Sequence, residues 1–291
     1  MWILICLSLC FSAPVFSDAF GDYWYQGKAE ITSYDLSQAR YGEIHPGHAV
    51  LIFVTEDFSA SKQVKLDHPE KVPDDAVKVL KLNSTRKFNT GIYPYSMMSS
   101  VFTPVYEDRH PRTLKVTTSS QEWCGHTYTQ LNLDGDGYRA RLLSYFEREG
   151  DRELHWKDGI PEDELWNRIR LNPETLPTGK IKLIPGTLFQ RLKHTAWGVH
   201  DATAVREAHP SDSALSIYVV EYVKFKRRLA ITYKTEFPHE IESWEETHSS
   251  GFGPNAVELT TSAVRKVRIM SDYWRRHGTA DAHLRKELGL E

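Results

Sequence analysis

Apolar and polar residues alternate along most of this chain, with a period of two rather than a period of three to four. Short runs rich in β-branched and aromatic residues recur in both halves of the sequence. A period of two is typical of strands that bury one face. The clearest runs are Ala49–Val54, Val77–Leu82, Ile217–Tyr222, Leu229–Lys234 and Ala263–Met270. The pattern therefore predicts a mainly β protein.

Turn-forming sequences separate these runs. Asn89-Thr90-Gly91 and Asp134-Gly135-Asp136-Gly137 are two examples in which glycine, asparagine and aspartate can reverse the chain. Closely spaced turns between strands favour hairpins, so we predict antiparallel curved sheets in a sandwich or barrel-like arrangement. A division into two lobes is left open, with its boundary near residues 159–175.

Two short segments follow a helical rather than a strand pattern. Pro161 and the acidic residues after it suit the first turn of a helix that ends before Asn172-Pro173. A second segment, Ala280–Leu288, places Leu284 and Leu288 on one side. We therefore expect one or two short helices beside the sheet.

The first 17 residues read as an export signal. Met1 to Phe11 form an uncharged apolar run of signal-peptide length, and small residues precede a cleavage point after Ser17. The usual basic start is missing. The alternative of a lipid anchor on Cys10 is minor, because bulky Leu9 stands where a small residue is expected. The predicted mature chain, residues 18–291, is a single β-rich domain.

Composition narrows the class of protein. The chain has 291 residues, of which 40% are hydrophobic and 26% charged, and this composition is typical of a folded protein. Its net charge of −3 gives no overall positive electrostatic field that would attract nucleic acid. After the signal only Cys124 remains, so no intramolecular disulfide forms. No later apolar run approaches the roughly 20 residues of a membrane helix. We expect an exported protein of the periplasm or the extracellular side of a bacterial envelope, with no transmembrane segment in the mature chain.

The strongest candidate for chemistry is the segment around the single mature cysteine. On one strand Glu122, Cys124 and His126 would project to the same face, so that a carboxylate, a thiol and an imidazole would be neighbours. A thiol needs a nearby base or cation to become a nucleophile. In the simpler interpretation, which the spacing favours, Cys124 is a packing residue and Gly125 permits a bulge.

Other motifs point away from cofactors. His45-Pro46-Gly47-His48 offers two imidazoles but no nearby third metal ligand, and we interpret it as a turn. Asp134–Gly137 resembles only the opening of a calcium loop. No phosphate-binding loop, dinucleotide-binding glycine pattern or Gly-x-Ser-x-Gly is present. We therefore predict neither a metal nor an organic cofactor.

Some segments interleave aromatic and basic residues. Lys224–Arg228 and Tyr273–His277 suit anionic lipid or polysaccharide better than nucleic acid in an exported, slightly acidic chain. Tyr23-Trp24-Tyr25 and Tyr93-Pro94-Tyr95 are aromatic clusters that either fill the core or, if exposed, offer a stacking surface for sugars.

Several segments resemble a family of exported bacterial proteins of uncharacterised activity. They are Tyr23–Ile31, Lys87–Ser96, Gln121–His126 and Asp272-Tyr273-Trp274. Members sometimes carry the label "septum formation inhibitor Maf". Maf nucleotide pyrophosphatases have an early Ser-x-Arg-Arg signature, whereas Arg227-Arg228 and Arg275-Arg276 here are late and lack the serine. The resemblance therefore implies a compartment but no mechanism.

Together these observations favour a non-catalytic binding protein of the cell envelope over an enzyme. Its ligand is expected to be an apolar or amphipathic molecule such as a lipid or glycan, or an envelope protein, held by a concave sheet or barrel mouth. The first alternative is a thiol-dependent hydrolase or transferase with Cys124 as nucleophile and His126 as base. The second is a purely structural interaction protein.

Overall fold

A computed structural model describes residues 18–290, and it confirms the mainly β prediction with a single sheet of 15 strands. The strands are β1 (Ala29–Arg40), β2 (Glu43–Ser59), β3 (Ala76–Thr90), β4 (Tyr93–Pro104), β5 (Lys115–Glu122), β6 (Gly125–Asp134), β7 (Gly137–Ser144), β8 (Arg152–Lys157), β9 (Ile160–Pro161), β10 (Gly179–Ile184), β11 (His200–Ala208), β12 (Leu215–Tyr222), β13 (Arg227–Lys234), β14 (Ile241–Ser250) and β15 (Val257–Ser271). The predicted export signal, residues 1–17, lies outside the described residues.

The sheet is a meander in which nearly every strand pairs with its neighbour in sequence. Its order runs from β8 through β1 to β15 and on to β9, so the two ends of the chain meet in the middle, where β1 pairs with β15. All pairings are antiparallel except that of β9 with β10. The edge strands β8 and β9 are joined only by residues 158–159, so the two edges must lie close together. The sheet is therefore curled, but it is not closed.

Alternation along the strands separates an inner from an outer face. In β4 and β5 every second residue is buried, as a period of two requires. The inner face carries the main core, which includes large buried aromatic residues such as Tyr34, Tyr138, Tyr218 and Trp244. The predicted runs of alternating residues are thus strands with one face turned inward.

Short helices complete the fold. They are α1 (Asp18–Trp24), α2 (Leu165–Leu171), α3 (Thr187–Lys193) and α4 (His283–Glu287), together with single turns of 3-10 helix at 69–71, 162–164, 173–175, 253–255, 273–275 and 279–282. Nearly all side chains of α2 and α3 are buried, polar ones included, because the curled sheet surrounds both helices. The two predicted helices correspond to α2 and α4, whereas α3 was not predicted.

Ion pairs fasten the enclosed helices to the sheet. Arg170 of α2 makes two hydrogen bonds to the Glu30 carboxylate of β1. Arg227 of β13 pairs with Glu162, which precedes α2, at 2.5 Å and with Glu246 of β14 at 2.7 Å. Each of these side chains is at least nine-tenths buried. Charges buried this deeply need partners, and pairing them fixes where the helices sit.

One turn prediction was wrong. His45-Pro46-Gly47-His48 lies within β2 rather than in a turn. Gly47 is needed there because a Cβ atom would come within 2.2 Å of the Lys87 carbonyl oxygen on β3. The glycine therefore marks a close approach of two strands.

No helix within residues 18–290 is long and apolar enough to cross a membrane.

Candidate functional site

Most of the connections at one end of the curled sheet present a large apolar residue to solvent. We call this end the mouth; it comprises residues 41–42, 91–92, 123–124, 145–151, 194–199, 223–226 and 251–256. The exposed apolar residues are Ile92, Trp123, Tyr145, Val223 and Phe252. Ile92 and Val223 are 82% and 88% exposed, at positions where turns normally carry polar residues or glycine. Clustered apolar exposure of this kind is typical of a binding surface.

A cavity of about 550 Å³ opens among three of these connections. Phe146, Trp197 and Phe252 give it aromatic walls, Arg148, Arg152 and His194 bring positive or titratable groups, and Glu147 and Glu149 bring carboxylates. Its volume lies in the range that holds small organic ligands. The combination of flat apolar walls and charged groups of both signs suits a molecule with an apolar body and a polar end.

A chain of polar contacts lies beside this cavity. The Arg191 guanidinium of α3 is 3.2 Å from Glu122 Oε1 and 3.2 Å from His194 Nε2, and it stacks 4.8 Å from the Phe146 ring centroid. His194 Nδ1 in turn contacts the Glu149 carboxylate. Because Arg191 can only donate, Nε2 accepts and the proton belongs on Nδ1, directed at Glu149. The imidazole is thereby held in one orientation.

The pKa of the Glu149 carboxyl reflects this contact. Burial raises the pKa, but the hydrogen bond and charge of His194 lower it by more, so the net pKa lies below its ordinary value. Glu149 is therefore ionised at neutral pH and available to hold the imidazole. This geometry positions groups; it places no nucleophile next to His194.

A cluster of tyrosines forms the neighbouring wall of the mouth. The Tyr41 hydroxyl lies 2.8 Å from that of Tyr95 and accepts a hydrogen bond from Tyr93 at 3.1 Å. The Arg40 guanidinium donates to the Tyr41 hydroxyl at 3.1 Å and stacks 4.1 Å from its ring centroid. Tyr41 also packs on Phe252, with ring centroids 5.9 Å apart, which joins the cluster to the cavity. In the Tyr93-Pro94-Tyr95 motif, Tyr95 is thus buried in the main core and Tyr93 lies at its edge.

The structure separates the predicted trio of Glu122, Cys124 and His126. The expectation that they share a strand face was wrong, because Trp123 and Cys124 form a tight turn between β5 and β6. Glu122 ends β5 on the inner face, whereas His126, the second residue of β6, lies on the outer face opposite Gln121. The structure therefore brings Glu122 and Cys124 together and leaves His126 on the other side of the sheet.

Cys124 is exposed, and its surroundings suppress the thiolate. Its backbone N–H donates to Glu122 Oε2 at 2.7 Å. A hydrogen bond to the Glu122 carboxylate, assisted by burial and by the negative charge of Glu122, raises the pKa of the Cys124 thiol. A catalytic thiol needs the opposite shift.

The residues that sequence reasoning missed are Arg191 and His194, both supplied by α3 and its end. A signal was present, since Leu188, Phe189 and Leu192 recur at helical spacing after Pro185-Gly186. Within residues 18–290 no group of three or more His, Cys, Asp or Glu side chains is arranged to hold a metal ion.

Comparison with known proteins gives little further guidance. No protein-family model matches the chain, and no curated protein matches it significantly. Among solved structures, it is similar to a porin-like protein from Bacteroides uniformis at 9% sequence identity, with a TM-score of 0.22 over 82% of this chain and 95% of that chain. A TM-score this low does not identify a shared fold.

Proposed function

We propose that this chain is a non-catalytic, exported binding protein of the cell envelope that holds an amphipathic molecule at its mouth. The observation that carries the proposal is the 550 Å³ cavity, in which aromatic walls face the same space as the cations Arg148 and Arg152 and the carboxylates Glu147 and Glu149. Export rests on the signal-like sequence of residues 1–17. The resemblance of several segments to exported bacterial proteins supports the same compartment.

The cavity favours an amphipathic ligand for energetic reasons. Burying about 200 Å² of apolar ligand surface against Phe146, Trp197 and Phe252 contributes about 5 kcal/mol, before the entropic cost of association. Arg148 and Arg152 are exposed, so their attraction for an acidic group is screened and mainly orients the ligand. The apolar walls therefore supply most of the affinity.

Titration with the fluorescent fatty acid cis-parinaric acid tests the proposal. We expect saturable binding by the purified protein and strong weakening in Trp197→Ala, since this removes a wall of the cavity. Trp274→Ala is the matched control, because Trp274 is exposed in a 3-10 turn near the chain end, away from the mouth. Equal binding by both variants, or none by the wild type, would refute the cavity as the site.

Material extracted from the protein purified from envelope fractions provides an independent test. A reproducible lipid or other amphiphile in its mass spectrum is the expected result. Its absence from material extracted from the wild type, together with failure to bind the fatty acid, would leave the structural interaction protein as the better explanation.

A further inference from the structure

Arg40, at the mouth end of β1, is a buried cation that makes no ion pair within residues 18–290. Its side chain is 6% exposed. Its guanidinium donates to the Leu192 carbonyl oxygen and to the hydroxyls of Tyr41 and Tyr95, all of which are uncharged acceptors. Its Nε has no hydrogen-bond partner at all among the described residues. A buried charge that is neither paired nor fully hydrogen-bonded is costly, so this arrangement calls for an anion.

A small pocket beside Arg40 has room for that anion. Its volume is about 60 Å³, roughly twice the 30 Å³ that a water molecule takes in the liquid. Arg40, Tyr41, Lys193, His248 and Ser250 bring the polar groups that line it. Phe252 lines both this pocket and the larger cavity, so the two spaces are neighbours.

Among the described residues that line the pocket, none carries a carboxylate. The Lys193 ammonium donates to the Ser249 carbonyl oxygen, which is neutral. The acid whose charge most affects His248 is Glu246, and that carboxylate is already paired with Arg227 and lies 3.7 Å from Arg86. The charged groups that line the pocket among the described residues are therefore the cations Arg40 and Lys193.

The titrating groups around the pocket respond to this positive field. Burial and then the charge of Arg40 lower the pKa of Lys193. For Tyr41, burial raises the pKa, but hydrogen bonds from Tyr93 and Tyr95 and the charge of Arg40 lower it by more. Burial lowers the pKa of His248, against the charge of Glu246 and a hydrogen bond to the Ser249 carbonyl oxygen, and the charges of Lys193 and Arg227 add a smaller lowering. The effect of Arg40 on the pKa of Lys193 and of Tyr41 is that of a positive charge at the pocket.

We propose that this pocket binds an oxyanion of about the size of a phosphate group, with Arg40 as its central donor and Lys193 and Tyr41 at its sides. The Arg40 Nε–H, which has no partner among the described residues, is a charged donor for one oxygen of such an anion. The inference deepens the proposed function by naming the acidic group of the ligand at the mouth. It rests on the proposed function only in assuming that this group is attached to an apolar body.

Calorimetric titration with inorganic phosphate tests the pocket independently of the cavity. We expect one saturable site in the wild type and a loss of affinity of about tenfold or more in Arg40→Gln, as charged hydrogen bonds are removed. Lys193→Gln should weaken binding severalfold. Lys224→Gln is the matched control, since this lysine is exposed on another connection of the mouth and should have no effect. Should Arg40→Gln fail to fold, Lys193→Gln carries the test.

A second titration, with dodecyl phosphate, distinguishes the source of the oxyanion. Tighter binding than that of inorganic phosphate, lost in Trp197→Ala, identifies the head group of an amphiphile. Equal affinity identifies free phosphate, which supports the pocket but contradicts the proposed function. The pocket itself is refuted if phosphate does not bind the wild type. An absorbance of tyrosinate at neutral pH that is lost in Tyr41→Phe would then identify ionised Tyr41 as the counter-charge of Arg40.

Discussion

Two buried arginines enclosed by the same sheet differ in the groups that surround their positive charge. In the interior, Arg227 has the carboxylates of Glu162 and Glu246 within 2.7 Å. At the mouth, Arg40 is almost as deeply buried but contacts only a carbonyl oxygen and two tyrosine hydroxyls. The charge of Arg227 is therefore compensated by carboxylates, whereas that of Arg40 is not.

The contrast indicates that the charge of Arg227 stabilises the fold, whereas that of Arg40 is available to a ligand. Burial lowers the pKa of Arg227, but the charges of Glu162 and Glu246 raise it by more, to a net value well above the ordinary one. The same pairing lowers the pKa of Glu246 to about 2, against the raising effect of burial. Because Arg227, Glu162 and Glu246 are hydrogen-bonded to one another, they are not available to bind a ligand. Arg40 lacks such a partner, and it lies beside a pocket.

The largest expected effect is the loss of the interior pairing. Arg227→Met leaves the buried Glu162 without its cation and the buried Glu246 with only Arg86, 3.7 Å away, and should destabilise the protein by about 3–5 kcal/mol. Arg228→Met, its neighbour on the same strand, removes only an exposed contact to Glu221 at 3.6 Å and should change stability by less than about 1 kcal/mol. Urea unfolding of both variants provides the comparison, and equal losses would contradict it.

The interior also contains an acid with no cation bonded to it, Asp163. It accepts hydrogen bonds from the backbone N–H and hydroxyl of Thr187 at 3.0 and 2.7 Å. Burial, the largest influence, raises its pKa from 3.8 to about 6 despite these bonds. The folded protein thus binds this proton more tightly than the unfolded chain does. Its stabilising effect is complete below about pH 4 and is lost as the pH rises to about 6.

Asp163→Asn should remove this pH dependence. The shift corresponds to about 3 kcal/mol, so the variant should gain that much relative to the wild type between about pH 4 and pH 6. Urea unfolding across this pH range measures the gain. The lowered pKa of Glu246 affects stability in the opposite direction: it stabilises the fold above about pH 4.5, and the effect is lost toward pH 2. This contribution is the same in the wild type and in Asp163→Asn, so it cancels in their difference. A constant difference at every pH would rule out this explanation, and Asp136→Asn, in the turn before β7, is the control.

A smaller effect is expected from Arg40→Met at the mouth. Losing neutral hydrogen bonds costs stability, but removing an uncompensated buried charge offsets that cost, so the net change should stay within about 1 kcal/mol. Thermal unfolding with and without phosphate checks this. Phosphate should stabilise the wild type and leave the variant unaffected. Destabilisation as large as that of Arg227→Met would mean that Arg40 is a structural ion after all.

The smallest effect concerns the thiol. Because the pKa of Cys124 is raised, iodoacetamide should label the native protein more slowly at neutral pH than the unfolded chain, and Glu122→Gln should speed the labelling. Cys124→Ser should bind the mouth ligand as the wild type does. Rapid labelling that acidification suppresses through the histidine range would instead support the thiol-dependent alternative.

Period-two alternation was enough to predict the fold class, because a strand with one buried face leaves that pattern directly in the sequence. Runs such as Val77–Leu82 and Ile217–Tyr222 all lie within strands. The single curled sheet with helices inside it could not be read in the same way. Arg170 and Glu162 look like surface residues in a sequence, and only their distant partners make them interior.

The site was harder to predict because it is assembled from connections far apart in the chain. Sequence spacing suggested that Cys124 and His126 would be neighbours, but a tight turn after Glu122 places them apart. Arg40 and Lys193 come together only because β1 and the end of α3 meet at the mouth. No local pattern records that Arg40 lacks an acid.

Competition between inorganic phosphate and dodecyl phosphate tests the central claim most directly, namely that one amphiphile occupies the mouth with its acidic group beside Arg40. We predict that phosphate displaces dodecyl phosphate competitively and that Arg40→Gln abolishes the competition. Simultaneous binding of both, with each affinity unchanged by the other, would contradict the claim.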